Sequence, residues 1–205
     1  MAKVVSTLFI SADGVAEIDP EWHFPYFDEN MGRSVAEDYD TADVLLISRG
    51  TYDSFAGAWP DREAAGGEDA PFAKQIGDLR KVVVSRQPDL TFTWRNSELI
   101  DGDLVPAVTA LKADPAVKGI LIPGSLGVVQ ELLAAGLVDE LRLLIHPVAV
   151  GKGRRLFADG DGPYHLTVVR TEVFPTGTIR VIYAPGAAPA AAGYTEAVEH
   201  VVNAG

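Results

Sequence analysis

The sequence predicts an α/β fold in which a mainly parallel central sheet ends in an antiparallel hairpin and helices cover both faces. Short apolar runs such as 44–47 alternate along the chain with segments of helical periodicity. Residues 119–136 join an apolar run to a helical segment through a glycine-containing loop. Near the end, 166–174 and 178–184 alternate in polarity around a Pro-Thr-Gly turn and therefore predict the hairpin.

Composition limits the classes of protein to which the chain can belong. Its 205 residues suffice for one sizeable core or two small ones, and a hydrophobic content of 47% is ordinary for a globular protein. The absence of cysteine excludes disulfides and thiolate metal sites, and we assign no metal site. The apolar N-terminal segment is too short for a signal peptide and no run spans a bilayer, so we expect a cytoplasmic protein. A net charge of −12 without a basic stripe argues against nucleic-acid or membrane partners.

The first half of the chain is predicted to alternate strands and helices. In order, we predict strand 4–10, a helix that ends near residue 40, strand 44–47, helix 52–58, a short helix around 72–79 and strand 81–85. The helix that ends near residue 40 follows from an apolar stripe, which turns Phe27 inward: Phe27, Met31, Val35 and Tyr39. Thr51 is a plausible N-cap for helix 52–58. Residues 60–71 are rich in Gly, Ala and acidic residues without a period, so we predict a loop.

The second half continues the pattern and ends in a tail. We predict a short strand at 97–100, a helix capped by Gly102 or Asp103 that ends before Pro115, strand 120–122, loop 123–127, helix 128–135, strand 141–150, a basic loop at 151–157, and the hairpin. Residues 185–193 are almost purely Ala, Pro and Gly, a linker composition, and 194–204 could form a short helix. We therefore predict one domain at 1–184 and a tail at 185–205.

A glycine loop between a strand and a helix, as at 123–127, is a physical device for holding phosphate, because the first amides of a helix lack partners. The spacing of residues 123–127 alone fits an ordinary strand-to-helix turn equally well. Arg49 and Arg86 each closely follow an apolar strand, where parallel sheets bind ligands, although a single arginine is usually a solvated surface charge. Together the three loops favour a phosphate site.

Several motifs, taken in order, resemble one family. They are Ser11-Ala12-Asp13-Gly14, residues 21–27 (EWHFPYF), Arg49-Gly50-Thr51-Tyr52, Val83-Val84-Ser85-Arg86, the Pro-Gly-Ser loop, and residues 136–157. The chain is similar to the dihydrofolate-reductase-like family, and within it to the C-terminal reductase domain of the riboflavin-biosynthesis deaminase/reductase and its stand-alone relatives. The resemblance covers residues 4–184 and implies a homodimer that binds NADPH across the carboxyl edge of the sheet.

The resemblance also implies which residues hold the cofactor. Three loops would contribute: Arg49, Gly50 and Thr51 at the phosphates, Ser85 and Arg86 at the adenosine 2′-phosphate, and Pro123, Gly124, Ser125, Leu126 and Gly127 at the pyrophosphate. The family usually has glycine in place of Ser48 and a small or polar residue in place of Pro123. Either departure is expected to weaken cofactor binding without abolishing it, Pro123 because proline lacks a backbone N–H group.

The substrate site is less clearly marked. Phe27 stands where dihydrofolate reductases carry a carboxylate, so folate reduction is not expected as the main activity, and Asp28 and Glu29 are interpreted as helix N-terminal charges. Lys152 and Arg154, with Arg155, could bind a substrate phosphate or remain a solvated loop. Trp22 and Phe27 are further candidates for substrate binding. His23 could line the substrate cleft or merely close the loop, and His146 is interpreted as structural.

We therefore predict an NADPH-dependent oxidoreductase that transfers hydride to a small carbonyl or imine substrate; the resemblance suggests a reaction like that of the 5-amino-6-(5-phosphoribosylamino)uracil reductase of riboflavin biosynthesis. A water could deliver the proton, so no catalytic residue is assigned. The alternative is a non-catalytic nucleotide-binding or oligomerisation module of the same fold. A Rossmann dehydrogenase is disfavoured, since the glycine loop lacks G-x-G-x-x-G and follows a late strand.

Overall fold

One eight-stranded sheet organises the chain, and the computed structural model describes residues 1–87, 89–100, 102–157 and 162–189. The strands are β1 (Lys3–Ser11), β2 (Val44–Ser48), β3 (Arg80–Val84), β4 (Ser97–Leu99), β5 (Gly119–Ile122), β6 (Glu140–His146), β7 (Leu166–Val173) and β8 (Ile179–Pro185). They lie in the order β4-β3-β2-β5-β1-β6-β8-β7. The predicted tail helix at 194–204 falls outside the described residues.

The helices connect the strands. They are α1 (Pro20–His23), α2 (Glu29–Asp40), α3 (Arg49–Ala56), α4 (Trp59–Ala65), α5 (Ala70–Asp78), α6 (Leu104–Ala113) and α7 (Leu126–Ala134), with a 3₁₀ helix at Phe24–Tyr26. Among the described residues, no helix has the length and apolar character needed to cross a bilayer.

Strand pairing confirms the predicted fold class. The six strands from β4 to β6 are parallel, and β8 pairs antiparallel with both β6 and β7. Parallel strands end at the same edge of a sheet, so the loops that follow β3, β2, β5, β1 and β6 lie side by side there. This edge carries the residues discussed below.

Alternation along the strands separates two apolar cores. On one face, residues such as Leu46 and Ile122 pack with α6 and α7. On the other, residues such as Leu45 and Leu121 pack with Tyr39 of α2 and with residues of α3 and α5. Because successive strand residues point to opposite faces, these fully buried strands are apolar at nearly every position and are covered by helices on both sides.

The predicted loop at 60–71 is wrong, because most of it is helical. Helix α4 begins at Trp59, with Pro60 in its first turn, and α5 begins at Ala70. The Trp59 ring packs against Phe55 and Phe72, with ring centroids 6.2 and 5.3 Å apart. Besides this aromatic anchor, Glu63 of α4 pairs with Arg95 at 2.7 Å. Most of α4 is exposed, and so short a helix leaves no apolar period in the sequence.

The predicted inward position of Phe27 is also wrong. Helix α2 starts only at Glu29, and Asp28 is its N-cap, accepting a hydrogen bond from the Met31 amide at 2.8 Å. Phe27 therefore precedes the helix and remains 44% exposed. An apolar residue spaced four before Met31 continues the stripe in sequence, yet the cap bends the chain away from helical geometry at that point.

Three further boundaries differ from prediction at the carboxyl edge of the sheet. Ser48, not Thr51, is the N-cap of α3. Helix α7 begins at Leu126, which shortens the preceding loop. Strand β6 ends at His146 instead of continuing to residue 150.

Candidate active site

The loops predicted to bind a cofactor follow three adjacent strands, β3, β2 and β5. The loops after β2 and β5 meet, since a Cβ on Gly124 would lie 3.8 Å from Thr51 Oγ1. Gly124 has a φ of 139°, which only glycine adopts readily, and its peptide bond to Ser125 is cis. The sequence therefore brings the N-termini of α3 and α7 together.

The N-terminus of α7 is open to an anion. Ser125 is its N-cap, but the side chain makes no capping hydrogen bond. Leu126 packs its side chain into the core and is 7% exposed, so only its backbone can serve a ligand. Amide N–H groups without partners at a helix N-terminus attract negative charge. Proline at position 123 precedes these amides and removes one donor from the loop.

The N-terminus of α3 is already capped. The Ser48 hydroxyl accepts a hydrogen bond from the Thr51 amide at 3.3 Å and lies 3.3 Å from Thr51 Oγ1. Arg49 pairs with Asp53 at 3.3 Å on the helix surface, and its side chain is 44% exposed. A phosphate at this N-terminus has to compete with the Ser48 hydroxyl for the Thr51 amide. Arg49, by contrast, can give up its weak surface ion pair with Asp53 to bind the phosphate.

The loop after β3 lies against α3. The Tyr52 hydroxyl accepts hydrogen bonds from the Thr93 and Trp94 amides at 3.0 and 3.1 Å. A cleft of about 200 Å³ separates Arg49 from Gln87 and residues 89–92. Ser85 accepts a hydrogen bond from the Gln87 amide at 3.0 Å, and the exposed Arg86 forms no ion pair with a described residue. The cleft is thus lined by one predicted arginine, Arg49, and by Gln87, which directly follows the other, Arg86, in the sequence.

The three cations of the loop at 151–157 face three different surroundings. A Cβ on Gly127 would lie 4.0 Å from Arg154 Nη2, so Arg154 lies beside the N-terminal turn of α7. Arg155 bonds the Asp13 carbonyl and pairs with the Asp13 carboxylate at 3.5 Å. Lys152 lines a separate cleft. The loop therefore does not present one cluster of three positive charges.

Asp13 ties the loop after β1 to the loop after β6. Its carboxylate accepts hydrogen bonds from the Ser11 hydroxyl at 2.6 Å and from the Val150 and Gly151 amides at 2.9 and 2.8 Å. These donors, led by Ser11, lower the pKa of Asp13 to about 2. Sequence reasoning treated Asp13 as a turn residue; its partners Val150 and Gly151 lie far along the chain, so only its place in the family motif marked it.

A cleft of about 690 Å³ opens beside these loops, between the segment after β1 and the loop after β6. Its lining residues are Glu17, Ile18, Asp19, Glu21, Trp22, Pro25, Tyr26, Val148, Val150, Lys152 and Gly153. Of the residues predicted to bind substrate, Trp22 and Lys152 line this cleft, and their role in binding stays a prediction. Phe27 and Arg154 do not line this cleft, and the three carboxylates were not predicted.

Two buried histidines lie next to Trp22. His23 Nδ1 is 3.1 Å from His146 Nε2, and His146 Nδ1 lies 3.0 Å from the Leu144 carbonyl. The carbonyl requires His146 to carry its proton on Nδ1, so His23 Nδ1 must be the donor between the rings. Burial, reinforced by His146, lowers the pKa of His23 to about 4, and burial also lowers that of His146. The pair is neutral at pH 7, which agrees with a structural role for His146.

Comparison with known proteins decides the family. Residues 2–180 match the model of the RibD C-terminal domain. The chain belongs to this family. The RibD C-terminal domain is the reductase domain of riboflavin biosynthesis, so a reductase-like role follows from membership. The uncharacterised protein YyaP of Bacillus subtilis (strain 168) is 28% identical over 183 residues, which cover 88% of this chain and 94% of YyaP.

Solved structures agree with this fold. A pyrimidine reductase-like protein of Corynebacterium diphtheriae has a TM-score of 0.63 at 17% identity, covering 91% of this chain and 93% of that one. The riboflavin biosynthesis reductase Rib7 of Saccharomyces cerevisiae has a TM-score of 0.58 at 13% identity, with 90% of each chain covered. At such identities the likeness establishes the fold alone.

Proposed function

We propose that this RibD-type chain is an NADPH-dependent reductase of a small carbonyl or imine compound. The observation that carries the proposal is the meeting of two helix N-termini with an arginine. Gly124 of the α7 loop adjoins Thr51 of α3, and Arg154 reaches Gly127. Together they form a cradle of amides, a hydroxyl and a guanidinium, which suits a pyrophosphate on a chain of net charge −12.

The residues present fit the cofactor. The α7 amides, Thr51 and Arg154 would hold the pyrophosphate, and Arg49 and Arg86 would flank the adenosine end beside the 200 Å³ cleft. When bound, NADPH supplies the hydride, and the protein has to orient substrate and limit water. Asp13 holds the two loops that border the larger cleft in one arrangement.

Folate reduction remains disfavoured as the main activity. Phe27 is exposed and lies outside the larger cleft, and Asp28 is occupied as the α2 N-cap. No carboxylate thus occupies the position that the resemblance assigns to pterin binding.

Paired substitutions test the cofactor site. Arg49→Ala and Arg86→Ala should each weaken NADPH binding in calorimetric titrations, and Arg86→Ala should weaken NADPH binding much more than NADH binding. Arg80→Ala is the matched control, because Arg80 starts β3 at the opposite edge of the sheet and pairs with Glu98. Unchanged NADPH affinity in both test variants would refute the assignment of Arg49 and Arg86 to the cofactor site. NADPH binding without oxidation by any carbonyl or imine compound would instead favour a non-catalytic module.

We also propose that the chain forms a homodimer. Strand β7 is an unpaired sheet edge among the described residues, and its valines are exposed: Val168 at 55%, Val169 at 57% and Val173 at 70%. An apolar edge strand favours pairing with another chain. Light scattering coupled to size exclusion should give a dimer mass for the wild type and a monomer mass for Val169→Glu; a wild-type monomer refutes the proposal.

A further inference from the structure

The larger cleft has two kinds of wall. Trp22 and Tyr26 supply aromatic surface on the side of α1 and the 3₁₀ helix, and Val148 and Val150 supply aliphatic surface opposite them. At about 690 Å³ the cleft is large enough for a small organic molecule. It lies at the carboxyl ends of β1 and β6, adjacent to the cradle proposed for the pyrophosphate.

The charge of this cleft is opposite to what a phosphorylated substrate needs. Glu17, Asp19 and Glu21 line it, and Lys152 is the one cation among its lining residues. The other two cations of the same loop point elsewhere, Arg154 to α7 and Arg155 to Asp13. The low dielectric of a cleft concentrates the field of its charged lining, so an anion entering here meets repulsion.

We propose that the substrate of this reductase carries a positive charge and no phosphate: a small planar carbonyl or imine compound with a protonated or quaternary nitrogen. The proposal rests on the reductase function above and names its substrate class. Carboxylates attract the cation, and the half-buried ring of Tyr26 on the cleft wall, next to the edge of the cleft formed by Trp22, suits both a planar body and a quaternary ammonium group.

Among the three carboxylates, Glu21 is the one available to a ligand. Asp19 caps α1 by accepting a hydrogen bond from the Glu21 amide at 2.8 Å. Glu17 accepts a hydrogen bond from the Arg154 amide at 3.2 Å. The Glu21 side chain makes no hydrogen bond or ion pair with any described residue and lies exposed at the cleft wall. Glu21 is therefore the specificity-determining residue of the proposal.

The test uses three probes that share one aromatic ring and differ in charge. Benzyltrimethylammonium, benzyl alcohol and benzyl phosphate are titrated into the full-length protein by calorimetry. We expect benzyltrimethylammonium to bind most tightly and benzyl phosphate most weakly. Glu21→Gln should weaken benzyltrimethylammonium binding about fivefold, as for removal of a unit charge at contact distance in water, and 1 M salt should abolish the difference.

Two control variants sharpen the result. Glu98→Gln removes the same charge at the opposite side of the sheet, where Glu98 pairs with Arg80, and should leave all three affinities unchanged. Lys152→Gln should strengthen binding of the cation. The proposal is overturned if benzyl phosphate binds most tightly and depends on Lys152, if Glu21→Gln behaves like Glu98→Gln, or if no probe binds.

The outcomes also separate this proposal from the reductase function. NADPH titration of the same preparation reports on the cofactor site and does not involve Glu21. Tight NADPH binding without preference for the cation refutes the substrate class alone. Cation binding without NADPH binding refutes the reductase function and leaves a cation-binding cleft.

Discussion

Replacing Arg154 by methionine tests whether this cation serves the cofactor or the substrate. In the structure its Nη2 atom lies 4.0 Å from a Cβ position on Gly127, in the first turn of α7. Methionine keeps most of the aliphatic length and removes the guanidinium. The side chain of Arg154 forms no hydrogen bond or ion pair with a described residue, so the loop should keep its conformation.

The expected size of the effect follows from the surroundings of Arg154. A hydrogen bond to a charged group contributes about 1.5–3 kcal/mol. Arg154 is exposed, so solvent screening places its contribution at the lower end, near about 1.5 kcal/mol, and NADPH binding should weaken about tenfold. The loss should shrink as the salt concentration rises.

Fluorescence titration of NADPH is the assay, and Lys152→Met is the control. Lys152 lies two residues away on the same loop and carries the same charge, but it lines the larger cleft. Its loss should change NADPH affinity no more than about twofold, since only the screened long-range field is affected. Equal NADPH affinities for the two variants would refute the assignment of Arg154 to the pyrophosphate.

Three further predictions concern neighbouring parts of the molecule. Ser48→Gly should tighten NADPH binding a few-fold by calorimetry, because it releases the Thr51 amide and hydroxyl while glycine costs the N-cap only a few tenths of a kcal/mol; unchanged affinity contradicts this. Asp13→Asn should lower the melting temperature at pH 7. Since the pKa of Asp13 falls from 3.8 to about 2 on folding, the wild type should melt at a higher temperature than Asp13→Asn above pH 4, and this difference should vanish as the pH falls towards 2. A difference in melting temperature that does not change with pH contradicts the prediction. Burial lowers the pKa of Lys81 from 10.5 to about 8, so the unfolded state binds more protons between these values. The free energy of unfolding of the wild type, measured relative to that of Lys81→Met, should therefore rise by up to about 3 kcal/mol as the pH rises from 8 to 10.5. A difference between the two proteins that does not change with pH contradicts this.

Lys81 and Asp13 illustrate what sequence patterns miss. Lys81 is fully buried, donates to the carbonyls of Ile76, Gly77 and Leu79, and lies 4.3 Å from the Trp94 ring centre. From the sequence alone, Lys81 is an ordinary charged residue at the start of a strand. Its carbonyl partners lie only two to five residues earlier, at the end of α5, but no residue pattern marks this lysine as buried, because the indole of Trp94 that packs on it comes from a later loop.

Local patterns did predict the fold and the edge at which the site lies. Apolar runs and helical periods placed most strands and helices, since those signals arise from burial on two faces of a sheet. The loops that carry Arg49, Arg86 and Gly124 were predicted at the carboxyl edge for the same reason. By contrast, α4 depends on the contacts of Trp59 with Phe55 and Phe72, and the exposed position of Phe27 depends on a helix cap.

The sequence by itself determined that glycines and arginines follow the strands of a parallel sheet, because the succession of strands along the chain and the composition of each loop are properties of short segments. Only the tertiary structure decided which charge faces which surface. Lys152, Arg154 and Arg155 are equivalent in the sequence, yet one lines the cleft, one adjoins α7 and one binds Asp13. That division, and the carboxylates opposite Lys152, depend on how the loops after β1 and β6 pack together, and no short-range pattern records it.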